Sequence, residues 1–167
     1  MMVRLIVLVV LAAAGYVAWD SGWKIDEAHV HRYYEGQMAA IRGFDHESMC
    51  KDIAGDFMID VTSYVDGQRT DQTVHDGEST CRMTREMIEG MRNLSAQSRG
   101  LLVFDVRVDV RSVHIEPGRR SAAVESTTTV KMGEVLVSRS RGTERLSRAL
   151  WRVRSHGGEG HTWTYLF

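Results

Sequence analysis

The spacing of the apolar residues changes once along this chain, near Leu101, and this change limits the possible fold more than any other feature. Before Leu101, apolar side chains recur every three or four residues, as they do on one side of a helix. After it, they occupy every second position, as on one face of a half-buried strand. Helices collected in the first half and strands in the second predict an α+β domain with an antiparallel sheet.

Two helices are predicted at the start of this domain. Apolar and aromatic residues fall on one side of the segment from Ile25 to Arg42, and Gly43 can end it. Asp45 stands where an N-cap belongs, and a second, shorter helix is expected to run from there to about Gly55. The short connection makes the two helices a hairpin.

A strand and a third helix are predicted next. The stretch "FMIDVTSYV" alternates like a strand, and the pair Asp66-Gly67 is typical of a turn. We expect a polar loop after this turn. Ser79 or Thr80 can then cap a helix whose apolar stripe is rich in methionine.

Four antiparallel strands are predicted in the second half. The first contains Phe104, and the apolar positions change parity near Ser112, which indicates a bulge. The next three are "RRSAAVESTTTVKM", "TERLSRALWRV" and the terminal "HTWTYLF". The glycines of His156-Gly157-Gly158 predict the hairpin turn that joins the last two strands.

Residues 5–19 are uncharged, with Arg4 before them and Asp20 after them. This pattern predicts a signal-anchor or signal peptide over residues 1–23, followed by one domain over residues 24–167. A retained anchor is favoured because Trp19 and Trp23 suit a membrane interface, whereas Ala14 offers a cleavage site. A buried core helix is the third interpretation, and it is disfavoured because the run has no polar side.

Arg4, the only positively charged residue of the leader, precedes the uncharged run, so the N-terminus is expected in the cytoplasm. We therefore expect a bacterial inner-membrane protein with its domain in the periplasm, or a secreted or periplasmic protein if the leader is cleaved. In such a compartment Cys50 and Cys81 are expected to form a disulfide, whose loop of about thirty residues would stabilise the fold by roughly 3.5 kcal/mol. Two buried thiols are the alternative if the chain is not exported.

Neither the charge distribution nor the histidines indicate a nucleic-acid-binding surface or a metal site. Residues 20–98 carry fifteen acids and eight bases, and residues 99–167 carry seven acids and twelve bases. The bases alternate with acids, and attraction between an acidic helical layer and a basic sheet explains the division. Seven histidines are present, but His29 and His31 are two apart, and His156 and His161 have no evident third ligand. We expect no cofactor.

The order of elements resembles the nuclear transport factor 2-like superfamily. The resemblance rests on "AAIRGFDHESMCKDIAGDFMID", which is similar to the family's helix, capped second helix and entry to the first strand, and on "SRALWRVRSHGGEGHTWTYLF", which is similar to its closing hairpin. It covers about residues 25–167. It implies a curved antiparallel sheet wrapped around three helices to form an open cone, here preceded by one hydrophobic N-terminal helix.

This fold hosts both enzymes and binding modules, so the resemblance leaves activity open. Among its members, ketosteroid isomerases use a carboxylate base and a pair of a tyrosine and a protonated acid. Similarity to them would make Asp60 the base and Tyr33 or Tyr34 the donor. Where the second acid is expected, however, this chain has Ser147 and Arg148.

The first hypothesis is therefore a non-enzymatic, envelope-exposed module that binds a small ligand or a protein partner, possibly as a homodimer through the sheet. Its cone would be apolar with a few hydroxyl groups, although the same side chains could simply fill the core. The alternatives are a cavity enzyme of the isomerase or cyclase type and an accessory component of an envelope assembly. The candidate pocket residues are Phe57, Ser126, Thr128, Trp151 and Trp163.

Overall fold

The computed structural model describes residues 2–99 and 102–165 of the chain. Leu101, Leu166 and Phe167, which the sequence assigns to strands, lie outside the described residues. Four helices are present in the described part: α1 (Met2–Ser21), α2 (Glu27–Arg42), α3 (His46–Cys50) and α4 (Gly77–Gln97).

Six strands form one sheet in the order β2-β1-β6-β5-β4-β3. Neighbouring strands are antiparallel except for β1 and β6, which are parallel. The strands are β1 (Ile53–Val65), β2 (Gln68–Asp76), β3 (Phe104–Ile115), β4 (Ser121–Met132), β5 (Val135–Ala149) and β6 (Arg152–Thr164). The predicted α+β class is confirmed, and the register shift between Val110 and Ser112 places a bulge where the sequence indicates one.

An aspartate caps each of the three helices of the domain. Asp26, Asp45 and Asp76 each accept a hydrogen bond from the backbone N–H three residues later, at 3.0, 3.0 and 2.8 Å. The cap predicted at Ser79 or Thr80 was therefore placed three or four residues too late. The helix capped by Asp45 also ends earlier than predicted, because β1 already begins at Ile53.

Two other predictions about the strands were wrong. The expected polar loop is strand β2, which the alternation of apolar residues cannot reveal because an edge strand has little apolar burial. The last hairpin turns at Leu150 and Trp151, where φ is 49° and 65°, and not at His156-Gly157-Gly158.

Gly157 and Gly158 instead lie inside β6, where the backbones of neighbouring strands come very close. A Cβ atom on Gly157 would lie 2.1 Å from the carbonyl oxygen of Met58 on β1. On Gly158 it would lie 2.0 Å from the carbonyl oxygen of Thr143 on β5. These glycines therefore permit β6 to pack between its two neighbours and do not form a turn.

The core lies between the helices and one face of the sheet, which we call the inner face. Two clusters of buried residues fill it, one beneath α2 and one where α4 meets the sheet. The first contains Ile25, Val30, Tyr34, Ala122, Val124 and Leu146, and the second contains Ile41, Ile88, Met91 and Val106.

A disulfide links the two helices that flank β1 and β2. Cys50 at the end of α3 and Cys81 in α4 are placed at bonding distance, with their Cα atoms 5.4 Å apart. This geometry agrees with the predicted disulfide. It holds α4 beside α3 and so fixes one end of the helical layer.

Helix α1 lies apart from this core, and its described apolar side chains are exposed. Exposed fractions range from 50% at Val7 to 71% at Tyr16. Arg148, only 8% exposed, joins the helix to the domain by donating from Nη1 to the carbonyl oxygens of Ser21 and Lys24, at 2.8 and 2.6 Å. None of the helices in the described part of the chain combines the length and the apolar character needed to cross a membrane.

Candidate functional site

An open cavity of about 280 Å³ lies on the inner face of the sheet. Alternation along the strands brings its lining residues to this face, and Gly160 on β6 leaves part of the space unfilled. A Cβ atom on Gly160 would have no neighbour closer than 3.9 Å. The lining consists of Phe57, Ile59, Val61, Ser126, Thr128, Ser140, Arg141, Gly142, Thr143, Glu144, Gly157, Gly158, Glu159, Gly160 and Thr162, of which Arg141 and Glu159 are exposed.

Glu144 is the charged group at the centre of this site, and three hydroxyl groups donate to its carboxylate. Tyr34 Oη lies 2.6 Å from Oε2, whereas Ser155 Oγ and Tyr33 Oη lie 2.5 and 3.5 Å from Oε1. The backbone N–H of Gly157 donates to Ser155 Oγ at 3.1 Å and so orients that hydroxyl toward Glu144. Carboxyl and hydroxyl groups therefore form one connected network.

The two tyrosines come from α2 and reach β5 across the core. Tyr34 is 9% exposed and Ser155 is 2% exposed, so these two hydroxyl groups are shielded from water, whereas Tyr33 and Glu144 are half-buried. The rings of Tyr33 and Tyr34 pack edge to face with centroids 5.2 Å apart. This packing directs both hydroxyl groups at the same carboxylate.

Burial dominates the proton affinity of these groups. It raises the pKa of Glu144 above its ordinary range, although the hydrogen bonds from Ser155, Tyr34 and Tyr33 oppose the rise. Burial and the nearby Glu144 carboxylate also raise the pKa of Tyr34 and of Tyr33. The tyrosines consequently stay protonated and act as donors, while Glu144 is the group that can gain or lose a proton.

The structure brings together five of the residues that the sequence singles out. Phe57, Ser126 and Thr128 line the cavity, as the alternation of their strands predicts. Tyr33 and Tyr34 do not line it, but they contact Glu144, which does. The prediction of a cone with a few hydroxyl groups therefore describes this face of the sheet.

The other three candidates lie elsewhere. Asp60 points away from the cavity that Ile59 and Val61 line, and both its oxygens accept from Gln72 Nε2, at 3.1 and 2.9 Å. This position does not support Asp60 as a base in the cavity. The reason is parity, because adjacent residues of a strand face opposite sides.

The two tryptophans are misplaced for different reasons. Trp151 forms the turn between β5 and β6 and is 58% exposed. Trp163 lies on the outer face of the sheet, where it stacks on Tyr64 with centroids 5.3 Å apart. Trp151 was assigned to the pocket because the predicted turn at His156-Gly157-Gly158 put it inside a strand, whereas Trp163 lies on a strand whose apolar side faces outward.

Sequence reasoning missed Glu144 and Ser155. The resemblance places a second acid close to Trp151, where the chain has Ser147 and Arg148, and so does not point to Glu144. Counting alternate positions back from the buried Leu146 reaches Glu144, so its placement on the inner face was visible in the pattern.

Comparisons with known proteins agree with this architecture. No protein family model matches the chain, and no curated protein sequence matches it. A nuclear transport factor 2-like protein from Cytophaga hutchinsonii is 12% identical, with a TM-score of 0.51, over 84% of this chain and 99% of that one. A protein of this kind and of unknown function from Silicibacter pomeroyi is 10% identical, with a TM-score of 0.52, over 80% and 92% of the two chains.

A third solved structure, a protein with a cystatin-like fold from Nostoc punctiforme, is 11% identical with a TM-score of 0.53. It matches 82% of this chain and 90% of its own. At these identities the likeness shows the fold alone. The chain has the nuclear transport factor 2-like cone fold that the sequence resemblance implies, and its function has to be argued from its own residues.

Proposed function

We propose that this protein is a binding module for a small, mostly apolar molecule that carries one hydrogen-bonding group. The supporting observation is the inner-face cavity, whose lining includes the hydrogen-bonded carboxyl group of Glu144. Ligand pockets typically combine an apolar lining with a few placed polar groups, and this lining has both.

The size and the wall of the cavity limit the ligand. About 280 Å³ accommodates one or two fused rings, and Phe57, Ile59 and Val61 offer them an apolar side. Ser126, Thr128 and Thr162 add hydroxyl groups but no charge. A hydroxyl or carbonyl group on the ligand can pair with Glu144, which donates when protonated and accepts when ionised.

The proposal includes attachment to a membrane through the N-terminal segment. Residues 5–19 carry no charge, and the large apolar side chains described in α1 are 50–71% exposed. Trp19 and Trp23 lie together at the domain end of this helix, with ring centroids 5.9 Å apart, as suits a membrane interface. A periplasmic domain and a homodimer through the sheet stay predictions.

A cavity enzyme is the second candidate, and the Glu144 network is the observation that favours it. A carboxyl group with a raised pKa beside two protonated tyrosines can exchange a proton with a bound molecule while hydroxyl groups hold a developing negative charge. In this version Glu144, and not Asp60, is the acid–base group.

Binding of 2-naphthol, followed by its fluorescence, tests the first candidate in the full chain. We expect saturable binding that Gly160→Leu weakens at least tenfold, because the new side chain enters open space in the cavity. Gly36→Leu is the matched control, since Gly36 lies on the exposed side of α2 with nothing within 4 Å. Equal loss in both variants would contradict the proposal.

Naphthalene then separates the apolar and polar parts of the site. It lacks the hydroxyl group, so we expect it to bind more weakly than 2-naphthol by roughly tenfold, the value of one hydrogen bond to a charged or shielded group. Glu144→Gln should reduce the difference in affinity between the two compounds. If both compounds bind equally to the unaltered chain, Glu144 has no role in recognition.

A further inference from the structure

Ser147, His156 and Asp56 form a chain of hydrogen bonds outside the cavity just described. Ser147 Oγ lies 2.7 Å from His156 Nε2, and His156 Nδ1 lies 2.5 Å from Asp56 Oδ1. The two bonds use different ring nitrogens, so the imidazole connects a hydroxyl group to a carboxylate. Nucleophile, base and orienting acid stand in this order in the serine hydrolases.

Three adjacent strands supply these residues, and irregular pairing aims them at one another. Ser147 is on β5, His156 on β6 and Asp56 on β1. The pairing of β1 with β6 shifts between Ile53 and Met58, which includes Asp56. Such irregularities redirect side chains and are common beside active sites.

The ionisation state of Asp56 favours the same order of nucleophile, base and orienting acid. The hydrogen bond from His156 lowers the pKa of Asp56, so this carboxylate stays charged at neutral pH. Arg145 Nη2 lies 3.5 Å from its other oxygen. A charged Asp56 fixes the Nδ1–H tautomer of His156 and leaves Nε2 free to accept the Ser147 proton.

The site is accessible to a substrate. The side chains of Asp56 and His156 are 63% and 18% exposed. Ser147 follows the buried Leu146 on β5, so it points to the outer face of the sheet. Asp56 also lines an open depression of about 440 Å³ that includes Ile53, Ala54, Phe57 and Met58.

We propose that Ser147, His156 and Asp56 are a hydrolytic site for small carboxylic esters, independent of the inner-face cavity. Ser147 Oγ attacks the carbonyl carbon of the ester while its proton moves to His156 Nε2. The carbon–oxygen bond to the alcohol then breaks, and the leaving oxygen takes that proton.

Water completes the reaction. It attacks the acyl group on Ser147 and gives one proton to His156 Nε2, which passes it to Ser147 Oγ as the acyl bond breaks. The products are one alcohol and one carboxylic acid, and the three side chains return to their starting states.

The surroundings of Ser147 indicate the substrate class. Arg154 pairs with Ser147 across β5 and β6, which places both side chains on one face of the sheet. We expect its guanidinium to stabilise an oxyanion formed at Ser147. The depression beside Asp56 combines apolar side chains with two further carboxylates, those of Asp76 and Glu78. Small esters without a negative charge therefore fit this face best.

Hydrolysis of p-nitrophenyl acetate by the full chain tests the proposal. We expect a rate above the background that falls roughly 10²–10⁴-fold in Ser147→Ala and in His156→Gln, as when a member of a triad is removed. Ser112→Ala and His114→Gln are matched controls on the exposed side of β3 and should leave the rate unchanged.

Covalent labelling keeps the test independent of how the variants fold. A fluorophosphonate should label the unaltered chain at Ser147, located by mass spectrometry of its peptides, because only an activated serine reacts. An adduct on another serine, or neither hydrolysis nor labelling in the unaltered chain, would overturn the proposal. Labelling as fast in His156→Gln as in the unaltered chain would do the same.

Discussion

Two carboxyl groups on opposite faces of the sheet, Glu144 and Asp56, differ in how the fold changes their proton affinity. Glu144 lies inside, where burial raises its pKa. Asp56 lies outside with a side chain that is 63% exposed, and a hydrogen bond from His156 lowers its pKa. The comparison shows that burial, and not the presence of donors, decides the direction, since both groups accept hydrogen bonds.

The same contrast extends along β5. Leu146 on the inner face is fully buried, whereas Arg139, Arg141 and Arg145 on the outer face are exposed. One strand thus carries a core on one side and a charged surface on the other. The chemistry that each face can support follows from this division.

The largest effect is expected when the inner face loses packing. Leu146→Ala should lower the free energy of unfolding by about 2–5 kcal/mol, because it leaves a cavity in the core. Arg145→Ala, one residue earlier on the outer face, should change it by no more than about 0.5 kcal/mol. Urea denaturation with the disulfide intact measures both. Equal losses would show that the two faces do not differ in burial.

A smaller, pH-dependent effect is expected at Glu144. Because its folded pKa lies above the ordinary value of 4.5, the folded chain holds the proton more tightly, and stability falls as pH rises from there through the folded pKa. Each tenfold difference in proton affinity is worth about 1.4 kcal/mol.

Glu144→Gln should remove this loss, so the variant gains stability relative to the unaltered chain between pH 5 and pH 8. Asp56 does not interfere, because stability from a carboxylate with a lowered pKa is lost only as pH falls below its ordinary value of 3.8. Urea denaturation at pH 5 and pH 8 measures this difference in stability, with the exposed Glu134→Gln as the control variant. A difference in stability that does not depend on pH would mean that burial does not raise the pKa of Glu144.

The smallest effect is expected on the outer face, where Tyr64 stacks on Trp163 with an angle of 13° between the rings. Such a pair contributes about 0.5–1.5 kcal/mol. Tyr64→Ala and Trp163→Ala, alone and together, should therefore show a coupling energy of this size in unfolding experiments. Additive losses would mean that the two rings do not stabilise each other.

Much of the fold could be predicted from local patterns. The helical spacing of Ile25 to Arg42, the cap at Asp45 and the bulge near Ser112 all depend on residues close together in the chain. The predictions failed at β2 and at the last turn. In both places the structure depends on pairing with strands that are distant in the sequence. Gly157 and Gly158, for example, permit close backbone contacts inside β6 and do not form a turn.

The candidate site was predicted less well than the fold. Phe57, Ser126 and Thr128 were found because each lies on a regular strand whose parity can be counted. Asp60 was assigned by its place in a resemblance, and the parity of its own strand turns it outward. Glu144 acquires its role from contacts that include Tyr34, which is 110 residues away.

The sequence by itself determined the helices of the domain and five of the six strands, because helix caps and apolar periods act within a few residues. Only the tertiary structure decided which elements meet. The parallel pairing of β1 with β6 sets Asp56 beside His156, 100 residues away, and the packing of α2 on the sheet sets Tyr34 against Glu144. No local pattern encodes those contacts, since they depend on the register between strands that are far apart in the chain.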